Sequence, residues 1–108
     1  MKWYRLFENK DKLITALGAD GRRLVRIGDK KVCLFHHDGV FHAFDNLCPH
    51  NMHSLLEGNI NYLNEVVCPL HGYRYSLTDG RECEGKSTEL SIHKLEVREE
   101  GVFLGLNN

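Results

Sequence analysis

Two short loops in this chain each offer one thiol and one imidazole, and they constrain its fold more than any other feature. The first reads Cys48-Pro49-His50 and the second Cys68-Pro69-Leu70-His71, with residues 51–67 between them. Both prolines of the chain follow a cysteine directly. Proline fixes its own φ and drives the preceding residue toward extended backbone. Each cysteine is therefore held in a stiff turn, as a pre-formed ligand loop requires. Thiolates and imidazoles in this grouping point to a soft metal centre.

The rest of the composition bounds the fold around those loops. A chain of 108 residues suits one domain with one modest core. Hydrophobic residues at 42% and charged residues at 27% exclude a disordered segment. The formal net charge of −1 offers no basic field for nucleic acid. Lys2, Arg5, Glu8, Lys10, Asp11 and Lys12 break up the first turns of sequence, so neither a secretory leader nor a membrane anchor is expected there. Four cysteines could form disulfides in a secreted chain. Two of them lie beside histidine at ligand spacing, which favours metal and a reducing cytoplasm. Cys33, in Val32-Cys33-Leu34-Phe35, reads as a small buried hydrophobe, and Cys83 as a free thiol in a polar turn.

Read in order, the chain is a series of short strands with turn signals between them. Residues 3–7 and 23–27 read as strands, and 8–20 as a loop, because Gly18 and Gly21 close any helical turn begun by Leu13, Ile14 and Leu17. Residues 31–36 and 40–45 pair through the Asp38-Gly39 hairpin signal. Residues 60–63 and 65–67 are short strands leading to Cys68, followed by 74–77. Residues 81–91 are polar loop, and strands at 91–99 and 102–104 close the sheet. The pattern predicts an all-β antiparallel sandwich or open barrel with an inserted cluster-binding subdomain. Residues 1–108 form one domain, with a base at 1–46 and 77–108 and a cluster lobe at 47–76. Trp3, Phe41, Phe44 and Phe103 are expected in the core, and His36, His37, His42 and His93 on the surface or half-buried.

The paired loops, with His71-Gly72-Tyr73-Arg74-Tyr75 and Thr78-Asp79-Gly80-Arg81 after them, resemble the Rieske [2Fe–2S] family, in particular its soluble ferredoxins. In that family two histidines replace two cysteines on one iron. The resemblance implies one [2Fe–2S] cluster, with Cys48 and Cys68 on one iron and His50 and His71 on the other. The same ligand types can hold one structural zinc, although zinc loops rarely pair the motifs in this way. Two ferric ions and two sulfides carry two net positive charges. Four thiolates would make the centre a dianion, whereas two thiolates and two neutral imidazoles leave it uncharged. An uncharged centre accepts an electron more readily, which places such potentials at about −150 to +300 mV against about −400 mV for the all-cysteine plant type.

Neighbours set the position within that range. High-potential members carry a disulfide between the loops; His53 and Leu70 stand at those positions here. Their serine two residues after the second ligand histidine is Tyr73, while their tyrosine is matched by Tyr75, whose hydroxyl the resemblance directs at the Cys48 sulfur. A low potential is therefore expected. Met52 stands where glycine is usual, and Gly72 follows the second histidine. His53, Leu70 and Met52 are expected around a docking tip. The implied function is a noncatalytic one-electron carrier that takes an electron from a flavin reductase and passes it to a terminal oxygenase. The alternative is a noncatalytic small subunit of a larger reductase, such as nitrite reductase.

Overall fold

The computed structural model describes residues 1–107. Among these residues nine strands, one α-helix and one short 3-10 helix follow one another as β1 (Lys2–Phe7), α1 (Lys10–Leu17), β2 (Arg22–Ile27), β3 (Lys30–His37), β4 (Val40–Asp45), the 3-10 turn (Leu55–Glu57), β5 (Asn59–Ile60), β6 (Glu65–Val67), β7 (Arg74–Ser76), β8 (Ile92–Arg98) and β9 (Gly101–Leu106). A six-stranded antiparallel sheet has the order β1-β9-β8-β4-β3-β2, and a three-stranded sheet the order β5-β6-β7. The mostly-β antiparallel architecture is the one the strand pattern predicts.

The continuous apolar run of β3 has a physical reason, because the strand is covered on both faces. Val32 and Leu34 face a core with Leu13, Leu17, Ala43, Val102, Leu104 and Leu106. Cys33 and Phe35 face the other way, into a core with Phe44, Cys48, Leu55, Val66, Cys68, Tyr75 and Leu90. The small sheet and the ligand loops therefore rest on the back of the central strand. Arg22 fastens the two parts, with Nη1 donating to the carbonyls of Leu56 (2.9 Å) and Gly58 (2.6 Å) while its guanidinium lies 4.4 Å from the Phe35 ring centre. The Asp38-Gly39 hairpin forms as the sequence predicts, with His37 opposite Val40 and both turn residues at positive φ.

Four expectations need correction. Residues 10–17 form a helix and not a loop. Asn9 caps it, its side chain accepting from the Lys12 N–H at 2.9 Å, and Leu13 and Leu17 bury one face. Gly18 closes the helix at φ 70, where a left-handed residue ends a helix without breaking it. Tyr62 and Leu63 lie in an exposed turn, so the strand at 60–63 ends at Ile60. Trp3 is 38% exposed on an outward face, packed over Gly105 and against the Arg98 guanidinium, which also covers the half-buried Phe103. His93 is buried, in a network that joins β8 to β4.

Residues 77–90 return to the small sheet before the chain rejoins the large one at β8. The Ser76 N–H donates to the Arg81 carbonyl, the Cys83 N–H to Arg74 and the Leu90 N–H to Gly80. Gly80 has φ 82, and an added Cβ there would strike the Leu90 carbonyl, so this return needs glycine.

The β4–β8 seam is only two residue pairs long, Ala43 with His93 and Phe44 with Ile92. Side chains reinforce it. His93 Nδ1 accepts from the Asn107 N–H at 3.1 Å, so Nε2 carries the proton and donates to Asp45 at 2.7 Å. Lys30 pairs with the other Asp45 oxygen at 2.9 Å. Burial alone would push the Asp45 carboxyl up, but the hydrogen bonds from His93 and Lys30 outweigh it and hold its pKa below the ordinary value of 3.8. A carboxyl depressed in the fold contributes stability above its unfolded pKa and loses it as pH falls through the folded value. Unfolding free energy should decline on acidification below about pH 4. Asp45→Ala should cost about 2 kcal/mol at neutral pH and flatten that acid limb, as urea unfolding at stepped pH will read.

Candidate metal centre

Both ligand loops are six-residue turns with the same backbone. In the first, the Cys48 N–H donates to the His53 carbonyl (2.9 Å) and the Met52 N–H to the Cys48 carbonyl (2.7 Å). In the second, the Cys68 N–H donates to the Tyr73 carbonyl (2.8 Å) and the Gly72 N–H to the Cys68 carbonyl (2.9 Å). The fifth residue of each is left-handed, Met52 at φ 61 and Gly72 at φ 73. The loops differ in where they carry histidine, at the third position in His50 and the fourth in His71.

This construction sorts the donors by depth. The Cys48 and Cys68 side chains lie in the core between the two sheets, fully buried. His50 and His71 are exposed, with ring centres 5.7 Å apart and planes at 64°. His50 stacks on Tyr73 at 3.8 Å and 10°, and Lys86 lies 5.9 Å from the Tyr73 ring centre. None of the four cysteines is in a disulfide. Among the described residues, no three His, Cys, Asp or Glu side chains are placed to hold a single metal ion together. Two buried thiols and two exposed imidazoles, set in separate loops, fit a group with two metal atoms and mixed sulfur and nitrogen ligation.

The surrounding contacts fall partly where expected. Tyr75 is fully buried, with Oη 3.4 Å from the Cys48 sulfur. Burial, followed by the neighbouring Cys48, pushes its phenol well above the ordinary range, so it keeps its proton. Met52 and Leu70 are exposed at the loop tips, 63% and 52%. His53 is half-buried and pairs with Glu57 at 3.2 Å. Among the described residues, sequence reasoning missed three contributors. Asn51 Oδ1 accepts from the His53 N–H at 2.9 Å, and its Nδ2 lies 3.7 Å from the Cys68 sulfur, joining the loops. Asn46 anchors the root of the first loop, its side-chain oxygen accepting from Ser54 (2.8 Å) and the Cys33 thiol (3.3 Å). Ser87 meets the Tyr75 hydroxyl at 2.9 Å. The turn that delivers it is held by Glu82, which accepts from the N–H groups of Glu84 and Lys86, both at 2.9 Å. Burial works against that carboxylate, and the two N–H donors outweigh it, leaving its pKa lowered. Only the Asx-type position of Asn51, two residues before His53, hinted at such a role.

A small β domain with two matched loops, gathering thiols within and imidazoles without, has the build of an iron–sulfur protein. The family model for the Rieske [2Fe–2S] domain matches residues 2–94, and the chain belongs to that family. Such a domain carries one [2Fe–2S] cluster. The chain is 32% identical over 79 residues to the ferredoxin component of an alkene monooxygenase system from Xanthobacter autotrophicus, a match covering 73% of this chain and 65% of that relative. Its fold resembles the ferredoxin of carbazole 1,9a-dioxygenase from Nocardioides aromaticivorans (TM-score 0.77, 16% identity, 99% and 100% coverage). It also resembles a chain in a complex of reduced oxygenase and oxidized ferredoxin in carbazole 1,9a-dioxygenase (TM-score 0.72, 23% identity, 95% and 92% coverage). No helix among the described residues is long and apolar enough to cross a membrane.

Met52 adopts left-handed backbone at the position its sister loop gives to glycine. For a residue with a Cβ this costs roughly 1–2 kcal/mol, against about 0.5–1 kcal/mol of extra chain entropy that glycine loses on folding. Met52→Gly should raise the unfolding free energy by up to about 1.5 kcal/mol, measured by denaturant unfolding, with the cluster spectrum unchanged.

Proposed function

We propose that Cys48 and Cys68 hold one iron and His50 and His71 the other, and that the chain is a one-electron carrier, not a catalyst. The separation of the donors by depth carries this reading. Thiolates on one iron and neutral imidazoles on the other would let a bound cluster take its electron on the imidazole side, away from negative charge. Those imidazoles lie at the surface, which gives the shortest path to another protein. When bound, the cluster supplies the redox chemistry. The chain's own residues would hold it, with the Cys48 and Cys68 thiols buried between the sheets and the His50 and His71 rings at the surface.

The ferredoxin role of the alkene monooxygenase relative, and the oxygenase complex of the carbazole system, support a terminal oxygenase as electron acceptor. A flavin reductase is the fitting donor for a one-electron carrier of this kind. Exposed Met52 and Leu70 flank the histidines and suit a transient docking tip. Cys33 and Cys83, outside the proposed ligand pair, form no disulfide, which suits the cytoplasm, where disulfides are rare. The chain acts as a single Rieske domain, with residues 47–76 carrying the cluster, 77–90 packing back on that lobe, and 1–46 with 91–107 as the base.

Purified protein should contain two irons and two acid-labile sulfides per chain and give an EPR signal on reduction. Cys48→Ser should abolish the native cluster spectrum. One zinc per chain and a colourless protein would overturn the assignment. Stable co-purification with a large reductase subunit would favour the alternative of a permanent small subunit.

A further inference from the structure

The Tyr75 hydroxyl has one proton and two acceptors near it. Its oxygen is 3.4 Å from the Cys48 sulfur and 2.9 Å from Ser87 Oγ. Ser87 also has one hydroxyl proton, and the structure commits it, because Ser87 Oγ donates to the Thr88 carbonyl at 2.8 Å. A carbonyl can only accept. Ser87 therefore turns its lone pairs toward Tyr75, and Tyr75 is the donor in the 2.9 Å bond. With these bonds made, no proton remains on Tyr75 to point at Cys48. A free Cys48 thiol can donate its own proton to the phenol, but a metal-bound thiolate has none to give.

From this proton count we propose that Ser87 is a positioning residue that holds the Tyr75 proton away from the Cys48 sulfur and so lowers the reduction potential. The inference rests on the assignment of Cys48 as a ligand. A hydrogen bond to thiolate sulfur stabilises the more negative, reduced centre more than the oxidised one. Diverting the proton to a neutral hydroxyl removes part of that preference. Ser87 is well placed to do so, since its turn is fixed by the Glu82 carboxylate. Two residues then set the potential jointly. Tyr75 supplies a donor, and Ser87 decides how much of it reaches the sulfur.

The test is a redox titration of the cluster-loaded variants, read by EPR. At a fixed applied potential, Ser87→Ala should raise the ratio of reduced to oxidised centre about threefold, equal to about 28 mV at about 59 mV per tenfold change for one electron. Ser87→Thr keeps the hydroxyl and should match wild type. In the Tyr75→Phe background, Ser87→Ala should change nothing, since no proton is left to redirect. Ser87→Cys, a poor acceptor of similar size, should shift the ratio in the same direction as Ser87→Ala, and it decides the matter if Ser87→Ala fails to retain iron. An unchanged or reduced ratio in a fully loaded variant overturns the proposal, as does an equal rise in the Tyr75→Phe background. A Cys48→Ser protein with the full wild-type spectrum overturns the ligand assignment itself, and this proposal with it.

Discussion

Burial of β3 on both faces is the constraint on which the rest of the structure depends. Val32 and Leu34 secure the strand to α1 and β9, while Cys33 and Phe35 form the floor under the ligand loops. A strand covered on one side alone would leave the small sheet with nothing to rest on. The loops need such a floor because each is a short turn with little surface of its own. Arg22, reaching from β2 to the carbonyls around residue 57, adds a polar tie across the same junction.

On that floor the chain repeats one turn and varies its contents. Cysteine and proline open both copies, a left-handed residue closes both, and the two backbone hydrogen bonds are the same. Moving the histidine by one position between copies lets both rings emerge together at the tip while both sulfurs stay beneath. Polarity across the centre therefore follows from local turn geometry. Asn51, Tyr75, Ser87 and the Tyr73 ring then adjust the surroundings of individual donors.

The features legible in the sequence were those enforced by residue chemistry at short range. The four candidate donors, the Asp38-Gly39 hairpin and the apolar run of β3 with its buried Cys33 all declare themselves locally. The helix at 10–17 was hidden because Gly18 resembles a breaker when it is in fact a cap, and because the Asn9 bond to Lys12 is a matter of conformation. Trp3 misled because an aromatic residue in an edge strand can cover a glycine and an arginine from outside. His93 and Ser87 were out of reach for a further reason. Their partners, Asp45 and Tyr75, lie 48 and 12 residues away, and no local pattern links them.

The short seam between β4 and β8 has a mechanical consequence. Two residue pairs join a leaf of β1, β9 and β8 to a leaf of β4, β3 and β2. Pulled or strained, such a sheet parts first along its narrowest join, and the side-chain clasp of Asp45, Lys30, His93 and Asn107 sits on that line. The lobe with the ligand loops is tied mainly to the second leaf. Beneath that seam the Val32, Leu34, Val102 and Leu104 core spans both leaves, so side-chain packing and the clasp, rather than the short ladder, hold the sheet together at its narrowest point.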